Sequence, residues 1–171
     1  MAGSTLAWRK RASTSRIILH ASHTHEHEAH NLEAWLRVTG RKMGLLEIGY
    51  HFIVFADGRH LMVRPHDAIG SHTPGFNKDS IGIVLQGGVR LRPGEDGEEI
   101  RVSCDTFTPA QMDTLKFLWG WLNGIYPGLE LKAHSELGRY KIRPVQCPPV
   151  DIERIRTQCR PMNQTASVVA S

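Results

Sequence analysis

Two runs in this chain, RIILH (16–20) and SIGIVLQGG (80–88), are apolar on almost every consecutive residue. A strand with one wet face alternates apolar and polar residues, so a run without alternation belongs in a sheet covered on both sides. Helices must then supply the cover. One candidate is NLEAWLRVTG, with Leu32, Trp35 and Leu36 at helical spacing behind an Asn31 cap and before Gly40. A second is TPAQMDTLKFLWGWLNGIY, where Thr108 is the N-cap, Pro109 the first helical residue and Gln111 the capping-box partner. Met112, Leu115, Trp119 and Leu122 continue that face. GYHFIVFADGRHLMVR predicts a hairpin with glycine at the turn, LELKAH a strand ending at His134, and VDIERIR a last short helix. Val89 to Asp105 is charged and glycine-containing and reads as a surface loop. The expected fold class is α/β: a single domain with a central mixed β-sheet flanked by helices.

Size agrees with one domain. The chain has 171 residues, 40% of them hydrophobic, enough for one sizeable core and not two. The expected division is a basic arm over 1–15, the folded domain over 16–158 and a frayed tail over 159–171. No apolar run approaches the roughly 20 residues that span a bilayer. The N-terminus is basic but lacks the apolar stretch of a secretory signal, so synthesis in the cytoplasm is expected. Three cysteines (Cys104, Cys147, Cys159) do not make a disulfide framework, and no CxxC pair is present. The net charge of +4 favours anionic partners without choosing among them. Arg9, Lys10, Arg11 and Arg16 read as a solvated basic arm.

The chemistry concentrates at strand ends. RIILH and LELKAH both finish on histidine, His20 and His134, and KAHSELGRYKIRPVQCPP then delivers Cys147. A histidine and a cysteine flanking a polar loop suit a redox pair, a nucleophile with its base, or half of a metal site. If the two strands are neighbours, both imidazoles emerge at one edge. Two imidazoles and a thiolate suit zinc and leave a fourth position open.

RIILHAS, EIGYHFIVFADG, IGSHTPGFNKDSIGIVLQGG, FTPAQMDTL and KAHSEL followed by CP occur here in one order. Together they resemble the zinc N-acetylmuramoyl-L-alanine amidases, which include peptidoglycan-recognition proteins and bacteriophage endolysins, and most of all the T-odd bacteriophage lysozyme group. The resemblance runs from about Leu6 to Arg156. It implies one zinc ion on His20, His134 and Cys147 and cleavage of the amide joining N-acetylmuramic acid to L-alanine. It also implies a catalytic role for Tyr50 and a substrate-binding position at His72. His51, next to Tyr50, should point to the opposite face and be structural. Asn77 and Ser80 should fix the loop entering the SIGIVL strand. The histidines of HTHEHEAH (23–30) should be exposed, adventitious metal binders at most.

One position departs from the resemblance. Where that group has a catalytic lysine two residues before the cysteine, this chain has Val145, with Lys141 and Arg143 nearby as replacements. Two other readings stand beside hydrolysis: a muropeptide-recognition module, and a regulator that binds a phage single-subunit RNA polymerase through AWRKRASTSR. Direct nucleic-acid binding has no motif behind it. A monomer is expected, made in a host cytoplasm and acting on the cell wall after release. Cys104 and Cys159 have no site to serve.

Overall fold

The computed structural model describes residues 8–25, 31–137 and 146–160. Among the described residues seven strands and three helices follow in the order β1 (Arg16–Ala21), α1 (Leu32–Lys42), β2 (Phe52–Val54), β3 (His60–Met62), β4 (Ser80–Leu85), β5 (Val89–Pro93), β6 (Glu99–Ser103), α2 (Pro109–Ile125), β7 (Glu130–Ala133) and α3 (Ile152–Cys159). Five strands form one sheet in the order β3-β2-β4-β1-β7. β2, β4, β1 and β7 are parallel, and β3 closes one edge antiparallel. The sheet is mixed and helices cover both faces, as an α/β chain requires.

The alternation of strand side chains divides the two faces. Ile17 and Leu19 of β1, Phe52 and Val54 of β2, and Ile81, Ile83 and Leu85 of β4 pack on Leu115, Leu118, Trp119 and Leu122 of α2 and on Ile155 of α3. The other face carries a smaller cluster, in which Leu32 and Leu36 of α1 meet Ile53 and Val84. Gln111 completes the capping box at the start of α2. It is fully buried, and its Nε2 donates to the carbonyls of Val54 and Gln86. One side chain thus caps the main helix and ties it to the sheet. Gly58, in the β2–β3 turn, has φ +87, the left-handed conformation expected of that glycine.

Several sequence expectations need correction. The stretch from Val89 to Asp105 is a hairpin rather than a loop: β5 and β6 pair antiparallel from Val89↔Ser103 to Pro93↔Glu99. Its apolar residues alternate with charged ones, the pattern of a strand pair that stands off the core. Trp35 is 38% exposed, because α1 seats on Leu32 and Leu36 instead. β1 and α1 each run on, to Ala21 and Lys42. α3 extends to Cys159, which is 1% exposed and part of the larger core, so that thiol does have a structural place.

The arm is not wholly solvated either. Lys10 bridges Ala68, and the Ile69 N–H donates to the Arg9 carbonyl at 2.7 Å. The Arg11 guanidinium donates to the carbonyls of His66 and Ala68. The Arg64 guanidinium lies 4.3 Å from the centre of the Trp8 ring. Backbone carbonyls in a loop need donors, and Arg11 has five N–H groups to give.

Arg11 leads to His51. β2 begins only at Phe52, so strand alternation does not separate Tyr50 from His51, and both rings flank His72, at centroid distances of 6.3 and 5.6 Å. His51 is nevertheless structural. It is fully buried, its Nδ1 accepts the Gly82 N–H at 2.9 Å, and its Nε2 lies 2.8 Å from the Ala68 carbonyl. An acceptor at Nδ1 and a carbonyl at Nε2 define one neutral tautomer, protonated on Nε2. Burial pushes its pKa down to about 3, against the opposing pull of the Ala68 carbonyl and with help from Arg11 and Arg64.

A histidine held neutral when folded and protonated when unfolded makes acid destabilising. The unfolded state binds the extra proton between about pH 6.5 and about pH 3, so stability falls as pH drops through that window. His51→Gln should flatten the dependence by up to about 1.4 kcal/mol per pH unit. Denaturant melts of zinc-free protein between pH 7 and 4 measure the slope, and equal slopes in parent and variant would refute it.

Candidate metal centre

Parallel pairing sets the first two donors side by side. In the β1–β7 register, Leu19 pairs with Ala133, so His20 and the residue that follows β7, His134, stand at the same level. Their ring centroids are 4.5 Å apart. His134 opens a 3-10 turn, His134–Leu137, that lifts the chain away from the sheet. Cys147 returns to the pair, and its carbonyl accepts the Ser135 N–H at 2.9 Å. Donor atoms of His20, His134 and Cys147 lie within 4.8 Å of one another, and this group of three could bind a metal.

A clamp that the sequence reading missed holds the turn. Arg156 of α3 donates to both oxygens of Glu136, at 2.8 and 2.6 Å, and its Nε donates to the Leu131 carbonyl at 2.8 Å. Glu136 in turn accepts the Ala133 N–H at 2.6 Å. Burial raises the Glu136 pKa, but the hydrogen bonds from Arg156 and the Ala133 N–H, with the charges of Arg156 and Lys132, together hold the carboxyl below its usual range. The i,i+3 spacing of Glu153 and Arg156 was legible; the long-range partner was not.

Burial sets the charge state. It lowers the His20 pKa well below the usual value, with His134 and then His23 adding to the effect. It lowers His134 likewise. The Cys147 thiol is pushed up by burial, offset by a hydrogen bond from the Ala21 backbone. Without metal the group is two neutral imidazoles and a thiol, so the nitrogen lone pairs are available and only the sulfur must lose a proton on ligation.

Tyr50 reaches the same place. Its ring centroid is 5.0 Å from that of His20, and burial, with Cys147 nearby, raises its pKa so that the phenol keeps its proton. His72 lies deeper than a groove-lining residue would, at 8% exposed. Its Nδ1 is 3.2 Å from His20 Nε2 and 3.0 Å from Thr73 Oγ1. Asn77 Oδ1 accepts the N–H groups of His72 and Thr73, at 3.0 and 2.8 Å, and Ser80 Oγ donates to the Phe76 carbonyl at 2.6 Å. Both fix the loop as their positions suggested.

The histidine-rich stretch is less exposed than expected where it is described. Thr24 is buried against Ser22 at 2.6 Å, while His23 and His25 are half-buried. His23 has φ +52, and its carbonyl accepts from Arg101 at 2.8 Å. His27, His30, Lys141, Arg143 and Val145 lie outside the described residues.

A family model described as N-acetylmuramoyl-L-alanine amidase matches residues 10–149. The endolysin of Escherichia phage T7 is 35% identical over 147 residues, covering 86% of this chain and 88% of that one. The endolysin of Klebsiella phage KP32 is 34% identical over 145 residues, covering 85% and 87%. Among solved structures, the N-acetylmuramoyl-L-alanine amidase LysC from Clostridium intestinale aligns with a TM-score of 0.66 at 24% identity, over 92% of this chain and 95% of that one. Drosophila PGRP-LB aligns with a TM-score of 0.61 at 21% identity, over 85% and 82%. These two structures establish likeness of fold.

The His72 ring rests where Gly82 has no side chain: a Cβ there would lie 2.6 Å from the ring carbons Cγ and Cδ2. Gly82→Ala should therefore displace the ring or the central strand and cost roughly 1–3 kcal/mol of stability. Denaturant unfolding of the variant tests this, and unchanged stability would mean that the ring moves aside freely.

Proposed function

The chain belongs to the N-acetylmuramoyl-L-alanine amidase family, and on that footing we propose that it works with one zinc ion held by His20, His134 and Cys147. Its reaction is that of the family: hydrolysis of the amide between N-acetylmuramic acid and the L-alanine of the stem peptide. Identity to phage endolysins over most of both chains makes it a peptidoglycan hydrolase of the endolysin kind. The observation that carries the metal assignment is the convergence of two imidazoles and a thiol within 4.8 Å. That donor set suits zinc, and three protein ligands leave one position for water or substrate.

Zinc held there would polarise the scissile carbonyl and acidify the attacking water. The protein's own groups do the rest. Tyr50 keeps its proton and so donates a hydrogen bond to the oxygen that gains charge as the carbonyl is attacked. His134 and His20 are fixed by the sheet and by the Arg156–Glu136 clamp, which limits reorganisation as charge develops. In this reading Lys141 or Arg143, between the two later donors in sequence, takes the place of the family lysine as the second electrophile.

Recognition without hydrolysis is the weaker alternative, because all three donors are present and converge. Binding of a phage single-subunit RNA polymerase rests on the arm. There Trp8 and Arg11 are engaged with the body of the protein, which leaves Arg9 and Lys10 as its exposed cations among the described residues. No helix among the described residues is long and apolar enough to cross a membrane. The reading takes the enzyme as a monomer, made in the host cytoplasm and acting on the wall after release.

Purified sacculi provide the test. Clearing, with newly freed L-alanine amino groups, should stop with chelator and return with zinc. Cys147→Ala should lose zinc and activity together. Tyr50→Phe should keep its zinc while kcat falls by about 10²–10³. Folded, zinc-loaded protein that releases no L-alanine amino groups would overturn the reading.

A further inference from the structure

Building on the zinc reading above, we propose that Thr73 and His72 form a seat that fixes the tautomer of His20, so that its Nδ1 is the nitrogen offered to the metal. His20 Nε2 lies 3.2 Å from His72 Nδ1 and 3.3 Å from Thr73 Oγ1. The two nitrogens of an imidazole point away from each other, so a ring bonded through Nε2 turns Nδ1 the other way. Only the tautomer protonated on Nε2 leaves the Nδ1 lone pair free for a metal. Isolated imidazole exchanges between its two tautomers; an acceptor placed at Nε2 selects one.

The proton arrangement closes consistently. In the proposed arrangement His20 Nε2–H donates to Thr73 Oγ1 or to His72 Nδ1, and the Thr73 hydroxyl, 3.0 Å from His72 Nδ1, donates to it. In that arrangement His72 Nδ1 accepts and the His72 proton sits on Nε2; the reverse, with His72 Nδ1–H donating to His20 Nε2, would leave the His20 proton on Nδ1. His72 Nε2 is buried and has no hydrogen-bond partner in the described protein. A ring of the same shape without nitrogens would fill the space at no such desolvation cost. The site therefore uses His72 for the nitrogen that faces His20, not for its volume.

The seat is rigid. Asn77 holds the backbone of both residues, and Thr73 is 2% exposed. Beneath the ring, a Cβ on Gly70 or Gly82 would come within 2.6 Å of it, so the ring sits directly on backbone. Thr73 and His72 act through His20 and are positioning residues in this proposal.

Zinc affinity and histidine NMR test it. Long-range proton–nitrogen spectra of the zinc-free parent should show His20 protonated on Nε2. Zinc competition against a chromophoric chelator should show Thr73→Val about 10-fold weaker, and Thr73→Val with His72→Phe up to about 100-fold weaker. Thr73→Ser, which keeps the hydroxyl, should restore near-parental affinity, a rescue that simple loss of packing would not give. A parent that takes up no zinc would remove the metal reading and this proposal with it. A zinc-binding parent with His20 protonated on Nδ1, or with variants bound within twofold of it, would sink this proposal alone. The NMR measurement needs no variant, so poor folding of a mutant leaves the question decidable.

Discussion

The parallel pairing of β1 with β7 is the constraint on which the site depends. Ile17 and Leu19 are buried on the α2 side, and the period of two then puts His20 on the other face. A slip of one residue would drive an imidazole into the apolar core and turn Leu19 toward Tyr50. Burial of the core side chains, worth roughly 1.5–3 kcal/mol each, therefore fixes the placement of a polar group that contributes little to stability. Geometry that ligation needs to within fractions of an ångström comes from packing on the opposite side of the sheet.

Cys147 cannot be placed that way, because it lies on a loop. Its position is set at two anchors instead. On one side Ser135 bonds its carbonyl, next to the turn gripped by Arg156 and Glu136; on the other Val150 enters the larger core. Arg156 belongs to α3, which packs on α2, so both flanks of the site report to the same hydrophobic layer. A metal bound by His20, His134 and Cys147 would cross-link sheet, turn and loop, and its binding energy would add to the stability of all three.

Much of this was legible in the residues. Unbroken apolar runs identified covered parallel strands, histidines beside the ends of two strands marked one edge, and Thr108 with Gln111 defined the start of α2. Signals that failed were those whose meaning lies in a distant partner. Nothing local distinguishes Arg11, which donates to two carbonyls of a loop more than fifty positions away, from a solvated arginine. Arg156 is the same case. The β5–β6 pair was different: Val89, Leu91, Ile100 and Val102 alternate with charge, and that period was there to be read beneath the glycines. His51 is structural as expected, but not by alternation, because the strand begins only at Phe52.

The two faces of the sheet also divide the work of stability and chemistry. Among the described residues sixteen buried side chains make the α2 side cohesive, against five on the α1 side, where His20, His51 and His72 occupy space that aliphatic residues would otherwise fill. Burial keeps these rings neutral, so they do not repel one another as cations would, and neutral imidazole is the form that ligates. It also removes the water that would compete for their nitrogens. The same desolvation that makes a histidine cluster costly to fold is what makes it ready for a metal, and the larger core opposite is what lets the chain carry that cost.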